Sequence, residues 1–390
     1  MKYVEEYRDP ELGKKLLERI HRRSKQHIKL MEFCGGHTVA IFKHGLRQLL
    51  PKNIEMLSGP GCPVCVTAGA DLDKAIAMGK IPKVIITSFG DMVRVPGSRS
   101  SLQQAKAEGA DVRIVYSTQD ALAIARANTD KSIIFIGIGF ETTAPTVAAS
   151  ILQAEQEKLK IYYVFSLHKV CPPIMKAILD LGEVKINGII CPGHVSAIIG
   201  SRPYRFIADD YRIACAVSGF EPVDILLAVD RLVEQIESDQ PKVEIAYRRG
   251  VKEEGNLPAL RLMDAVFEMG AANWRGIGSV PRSGLDIREK YARFDAEKNF
   301  KIKVGPAREP KGCICGAVLR GVSTPLECKL FRVTCTPERP VGPCMVSSEG
   351  SCATYYQYGE QTSPSNPLSV DGEGLALKTR SEGEFKGVRL

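Results

Sequence analysis

From about residue 30 to 240, short apolar, β-branched runs alternate with longer stretches whose apolar residues recur every three or four positions. KVIITSF (83–89), DVRIVYS (111–117), SIIFIGIGF (132–140), IYYVFSL (161–167), NGIICPG (187–193) and RIACAVSG (212–219) read as buried strands. Between them, TVAIFKHGLRQLL, ADLDKAIAMG, SLQQAKAEG, TAPTVAASILQAEQEKL, PPIMKAILDLG and PVDILLAVDRLVEQIES carry helical spacing. Strand and helix in turn predict parallel sheets with helical crossovers, an α/β class of the doubly wound, Rossmann-like kind. So many elements suit two α/β domains meeting near residue 130, with one continuous doubly wound sheet as the alternative. Beyond Ser238, Gly, Pro and charge rise, helical patterning thins and cysteines reappear, which predicts a third, irregular domain. The expected division is 1–129, 130–239 and 240–390, with a tail, SPSNPLSVDGEGLALKTRSEGEF, that begins as loop.

Composition narrows the setting. The N-terminal MKYVEEYRDPELGKKLLERIHRRSKQHIK has no secretory pattern, and no apolar run approaches the roughly 18 residues of a membrane span. Twelve cysteines in 390 residues are too few for a disulfide scaffold. A reducing cytoplasm is therefore expected, where clustered thiols serve metal binding or redox chemistry. The net charge of +8 is spread among acidic residues, and the densest basic run, Arg19 to Lys29, has no Phe, Tyr or Trp for base stacking. Neither a nucleic acid nor a membrane is an expected partner.

In an open parallel sheet, ligands gather beyond the carboxyl ends of the strands, where helix N-termini present free N–H groups. EFCGGHT places Cys34 and His37 at such a helix start, where a thiol is expected to tend toward thiolate. GPGCPVCVT holds Cys62 and Cys65 as a CxxC on a tight turn, suited to a dithiol that cycles to a disulfide or to half of a zinc site. With no second CxxC in the chain, redox is the better reading. GIGFETTAP follows a strand and opens a helix but lacks the third glycine of a dinucleotide fingerprint and continues with Glu141. FGDMVRVPGS and CPGHVSAI contribute Asp91, Arg94 and His194 from equivalent loops. Cys171, Cys191 and Cys215 read as small buried residues, Cys191 standing at a strand end.

The segment from Pro310 to Cys352 holds Cys313, Cys315, Cys328, Cys335, Cys344 and Cys352 among many glycines and prolines, so a loop can wrap a compact object. Four thiolates suit a zinc ion or an iron-sulfur cube equally well by ligand type. The absence of close CxxC pairs there leans toward a cluster, and six thiols leave a pair over that could exchange electrons.

Taken together, FCGGH, GPGCPVCVT, GDMVRVPGS, GFETTAP, CPGHV and PVGPCMVSSEGSC resemble the HypD family of NiFe hydrogenase maturation factors. The resemblance implies two α/β domains and a C-terminal domain carrying a 4Fe-4S cluster on Cys313, Cys328, Cys335 and Cys352. It implies redox pairs at Cys315 and Cys344 and at Cys62 and Cys65. Cys34 matches the thiol that, with the partner HypC, holds a transient iron while it acquires two cyanides and one carbon monoxide. His37 matches the motif's histidine, although the family's second histidine is here Val39. Implied partners are HypC and HypE, with HypF upstream, and indirectly the hydrogenase large subunit. The alternative class is an iron-sulfur disulfide reductase acting on a protein substrate; a zinc-stabilised interaction module is the non-redox reading.

Overall fold

The six apolar runs become strands, and three further parallel strands join them. In the computed structural model, which describes residues 5–359, they are β1 (Ile28–Glu32), β2 (Ile54–Ser58), β3 (Val84–Ser88), β4 (Asp111–Ile114), β5 (Ser132–Gly137), β6 (Tyr162–Ser166), β7 (Gly188–Pro192), β8 (Ala214–Ser218) and β9 (Val243–Ile245). All of these pair in parallel. β10 (Phe267–Trp274) and β11 (Gly278–Ile287) form an antiparallel hairpin. Every residue of β3, β7 and β8 is buried, because crossover helices cover both faces of a parallel sheet. The edge strands β4 and β9 are partly exposed.

The strands divide into a five-stranded sheet, β2-β1-β7-β8-β9, and a four-stranded sheet, β4-β3-β5-β6. The smaller sheet is inserted between β2 and β7 of the larger one. This corrects the boundary expected near residue 130, which falls between β4 and β5, two strands that flank β3 in one sheet. It also replaces the continuous-sheet alternative. β9 extends the larger sheet beyond the expected break at 239/240. One apolar cluster runs from Met31 and Ile189 in the larger sheet to Ile86 and Ile134 in the smaller, so the two sheets share a core.

In each sheet the chain moves outward on one side of a central strand and returns on the other: β1 to β2 and then β7, β3 to β4 and then β5. Such switch points open a crevice at the carboxyl ends of the central strands. β1 ends directly before Phe33 and Cys34, and β7 directly before Gly193 and His194. The CxxC turn lies where the chain leaves the larger sheet for the smaller.

Residues 310–359 contain short elements: helices Cys315–Leu319 and Ser351–Tyr358 and 3-10 turns Pro325–Glu327 and Pro343–Met345. The helix Ser351–Tyr358 docks on the helix Gly35–Lys43, with Phe42 and Tyr355 ring centroids 4.4 Å apart. The tail read as loop-like at its start lies outside the described residues. No helix among the described residues is long and apolar enough to cross a membrane.

Candidate functional site

Three cysteine-bearing segments meet at the switch point of the larger sheet. A side chain at Gly61 would put its Cβ 2.4 Å from the Cys34 nitrogen, so only glycine lets the CxxC loop lie against the Cys34 backbone. The Gly35 N–H donates to the Gly61 carbonyl at 3.3 Å. On the other side, a Cβ on Gly35 would fall 2.4 Å from the Glu349 carbonyl oxygen, which brings the C-terminal SSEGSC turn onto the same spot.

Cys34 is the N-cap of the helix Gly35–Lys43 and is buried. Its N–H donates to Glu32 Oε2 at 2.8 Å, and the Thr38 hydroxyl donates to the other Glu32 oxygen. The thiolate expected from a helix start is not what the surroundings favour. Burial, then the charges of Glu349 and Glu32, push the Cys34 thiol up to about 12, and the N–H groups of Gly36 and His37 oppose this without matching it. Burial likewise raises Glu32 to about 7. The same carboxyl groups that hold the proton on sulfur would attract a cation, and a metal displaces that proton on binding.

His37 is fully buried, with Nε2 at 3.0 Å from the Gly219 carbonyl and 3.3 Å from that of Ser218. Both partners are acceptors, so Nε2 carries the proton and Nδ1 keeps an unpartnered lone pair. Burial lowers its pKa to about 4, leaving a neutral imidazole. Phe220 stacks between His37 and His194, with centroids 4.7 and 3.9 Å away.

Cys62 and Cys65 are joined in a disulfide with Cα atoms 5.3 Å apart. Cys65 Sγ lies 3.9 Å from the carbonyl of Pro343, the residue before Cys344. Cys344 Sγ in turn is 2.6 Å from Cys315 Sγ, and both are buried. The two thiol pairs expected to exchange electrons are thus adjacent in the fold although some 250 residues separate them in sequence. Within the second pair, hydrogen bonds from Cys313 and Cys344, then the nearby Arg275 charge, push Cys315 well below the ordinary thiol range.

Cys313, Cys328, Cys335 and Cys352 line one cavity together with that pair, and Ile314, Val318, Leu330, Phe331 and Met345 make its walls apolar. Among the described residues no three side chains are drawn together as a finished metal site. The donor set nevertheless fits an iron-sulfur cube: four thiols beyond the pair, an apolar surround, and a Val341 N–H that donates to Cys335 Sγ at 3.4 Å. A Cβ on Gly342 would stand 2.7 Å from Cys313 Sγ, so a side chain here would displace that sulfur.

A family model named HypD, described as the hydrogenase formation hypA family, matches residues 11–359. The chain belongs to the HypD family. It is 44% identical over 369 residues to hydrogenase maturation factor HypD2 of Bradyrhizobium diazoefficiens, covering 92% of this chain and 97% of that one. Hydrogenase maturation factor HypD of Escherichia coli is also 44% identical, over 93% of this chain and 100% of its own length. A putative hydrogenase expression/formation protein of Methanocaldococcus jannaschii is 42% identical over 90% and 98%. This chain is accordingly a hydrogenase maturation factor of the HypD type.

Around this HypD site stand two carboxyl groups that motif reading passed over. Glu32 and Glu349 both lie in quoted stretches, next to FCGGH and within PVGPCMVSSEGSC, and the signal for them was an acidic residue beside a motif cysteine. Arg94, from the smaller sheet, donates to the Val346 carbonyl at 3.0 Å and ties its loop to the cysteine segment. Lys169 is buried 4.0 Å from Asp71. Glu141 accepts from the Cys171 N–H at 2.9 Å and lines a cavity that the site cysteines do not. Cys171, Cys191 and Cys215 are buried in the shared core, where burial drives the first two away from thiolate.

Proposed function

We propose that this protein is the scaffold and redox centre on which, with HypC, iron receives two cyanides delivered by HypE and one carbon monoxide, before insertion into the NiFe hydrogenase large subunit. HypF stands upstream of HypE. The observation that carries this reading is the convergence of Cys34, the Cys62–Cys65 pair and the Cys315–Cys344 pair, with Cys65 Sγ 3.9 Å from the carbonyl next to Cys344.

Cys34 presents its sulfur to iron, which is here the cargo. Glu32 and Glu349 supply negative charge to that cation, and the thiol gives up its proton as the iron–sulfur bond forms. His37 stays neutral beside it, a positioning group held by two carbonyls. Cyanide arrives as a thiocyanate on HypE. Releasing it takes two electrons: the S–CN bond breaks, the Cys62 and Cys65 thiols close to a disulfide, and their two protons pass to the HypE thiol and to cyanide. Cys315 and Cys344, as a dithiol, exchange with that disulfide, which returns Cys62 and Cys65 to the dithiol and leaves Cys315 and Cys344 as a disulfide that two electrons and two protons from an external one-electron donor reduce again. A 4Fe-4S cluster on Cys313, Cys328, Cys335 and Cys352 would supply one-electron transfer beside this pair.

The disulfide-reductase reading shares the two pairs but leaves Cys34 and its carboxyl groups without a task. It predicts turnover of a protein disulfide in the absence of HypC. The test is anaerobic co-purification with HypC followed by infrared spectroscopy. Cyanide and carbon monoxide stretching bands are expected; a complex competent for maturation that lacks both bands overturns the reading.

A further inference from the structure

A cavity of about 760 Å³ that none of the site cysteines lines lies between the helices Cys171–Leu181 and Leu257–Val266 and the β10–β11 hairpin. That is the size of a small-molecule site. Its walls are apolar, including Pro172, Pro173, Met263, Phe267 and Leu285. The deeply buried polar group lining it is Glu141, which is 2% exposed. Oε1 accepts from the Cys171 N–H, and Oε2 has no partner among the described residues. Burial raises this carboxyl to about 7, so near neutrality Oε2 carries a proton for much of the time and can donate it into a hydrogen bond.

At the rim, Arg288 is engaged with Glu268 at 3.6 Å and with the Asp264 carbonyl at 2.8 Å. Arg282 and the Asp264 carboxylate have no ion-pair partner among the described residues. A buried carboxyl left with an unmade hydrogen bond is costly unless something occupies the space in front of it. A protonated carboxyl asks for an acceptor oxygen, and a free guanidinium fork suits a carboxylate.

We propose that this cavity binds a small organic carboxylate that carries a second carbonyl oxygen, with its carboxylate on Arg282 at the rim, its carbonyl on Glu141 at the floor, and an apolar chain between. The inference concerns binding alone. It does not depend on the iron-assembly reading, and its failure would leave that reading standing.

The test uses the purified full-length protein with 6-oxoheptanoate, heptanoate, heptan-2-one and 6-aminohexan-2-one as probes, read by calorimetry and ligand-observed NMR. Saturable binding of 6-oxoheptanoate is expected, tighter than that of the other three. Arg282→Ala is expected to weaken both acids by about tenfold or more, as loss of a hydrogen bond to a charged group does, and to leave the ketone unchanged. Glu141→Gln, which keeps a donor and an acceptor, should preserve the preference for the carbonyl compound, and Glu141→Ala should remove it. Met269→Trp, at a lining position 40% exposed, should block all four probes with an unchanged unfolding midpoint. The proposal falls if 6-oxoheptanoate shows no saturable binding, if Met269→Trp binds it as well as the parent does, or if the amine matches the acid.

Discussion

The two cysteine regions of this protein are built in opposite ways. At the switch point of the larger sheet, Cys34 and the CxxC turn are fixed by backbone: strand ends, a helix cap and glycines that let two chains touch. In the segment from 310 to 358, the thiols hang on turns and helices of at most eight residues and face a shared apolar cavity. The first region is preorganised whether or not anything is bound. The second has little regular structure to hold it, so what its thiols bind becomes part of its stability.

The largest expected effects separate the regions outright. Cys34→Ala should reduce hydrogenase maturation to background while acid-labile sulfide stays at the parent level. Cys328→Ser should lose the iron and sulfide, and amide exchange in 310–358 should quicken by at least about tenfold, roughly 1.4 kcal/mol of local stability, while β1 and β7 remain protected. If Cys34→Ala also loses the sulfide, or if exchange quickens equally in both regions, the contrast drawn above fails.

Next in size is a pH effect confined to the sheet region. Glu141 is raised from the ordinary carboxylate value to about 7 by burial. The folded state therefore binds a proton that the unfolded chain has released. The stability this group contributes is full below about pH 4.5 and lost as pH rises through about 7, a difference of about 3 kcal/mol. Glu141→Gln cannot titrate, so denaturant unfolding at pH 8 should find it more stable than the parent, and at pH 4 the two should be level. In the cysteine segment burial raises Glu349 in the same direction, so exchange in 310–358 follows that group's own titration, and Glu141→Gln should leave its pH dependence as it is in the parent. Equal pH profiles for parent and variant would contradict the burial argument.

A pair of glycine substitutions sharpens the comparison further. Gly61→Ala drives a Cβ into the Cys34 backbone, which cannot move without shifting β1, and should cost about 1–3 kcal/mol in global unfolding. Gly342→Ala meets the Cys313 sulfur instead, a side-chain atom that can swing aside. It should lower iron content with little change in the global midpoint. A large global loss from Gly342→Ala would show that the cysteine segment is as rigid as the sheet edge.

This contrast also explains what sequence could convey. β3, β5, β7 and β8 are legible because a strand covered on both faces is written locally as an apolar run, as in SIIFIGIGF, and the edge strands β4 and β6 by their β-branched and aromatic residues. β1 and β2 are not, since Lys29, Glu32 and Glu55 interrupt them and their place beside β7 is decided by partners elsewhere in the chain. For the same reason the division into sheets was misplaced: nothing near residue 130 records that β5 pairs with β3 while β7 pairs with β1. The hairpin β10–β11 was hidden by its glycines and Pro281. At the site, the cysteines announce themselves by type and clustering. Their protonation does not, because the Glu349 charge that helps raise Cys34 comes from a segment more than 300 residues away, and part of what buries it is the CxxC loop.

The smallest expected effect lies on the seam between the regions. Arg47 sits with its guanidinium carbon 5.0 Å from the Phe42 ring centre and 5.5 Å from that of Tyr355, and it donates to the Tyr355 hydroxyl. It thus joins the helix that follows Cys34 to the helix that carries Cys352. Arg47→Gln should cost only about 1 kcal/mol, the scale of one partly exposed cation–π contact. Because the larger sheet does not rely on this contact, the loss should appear as faster amide exchange in 351–358 with β1 and β7 unchanged. A loss spread evenly over both regions would mean that they unfold as one unit, and that the cysteine segment owes its order to docking on the Cys34 helix more than to whatever its own thiols hold.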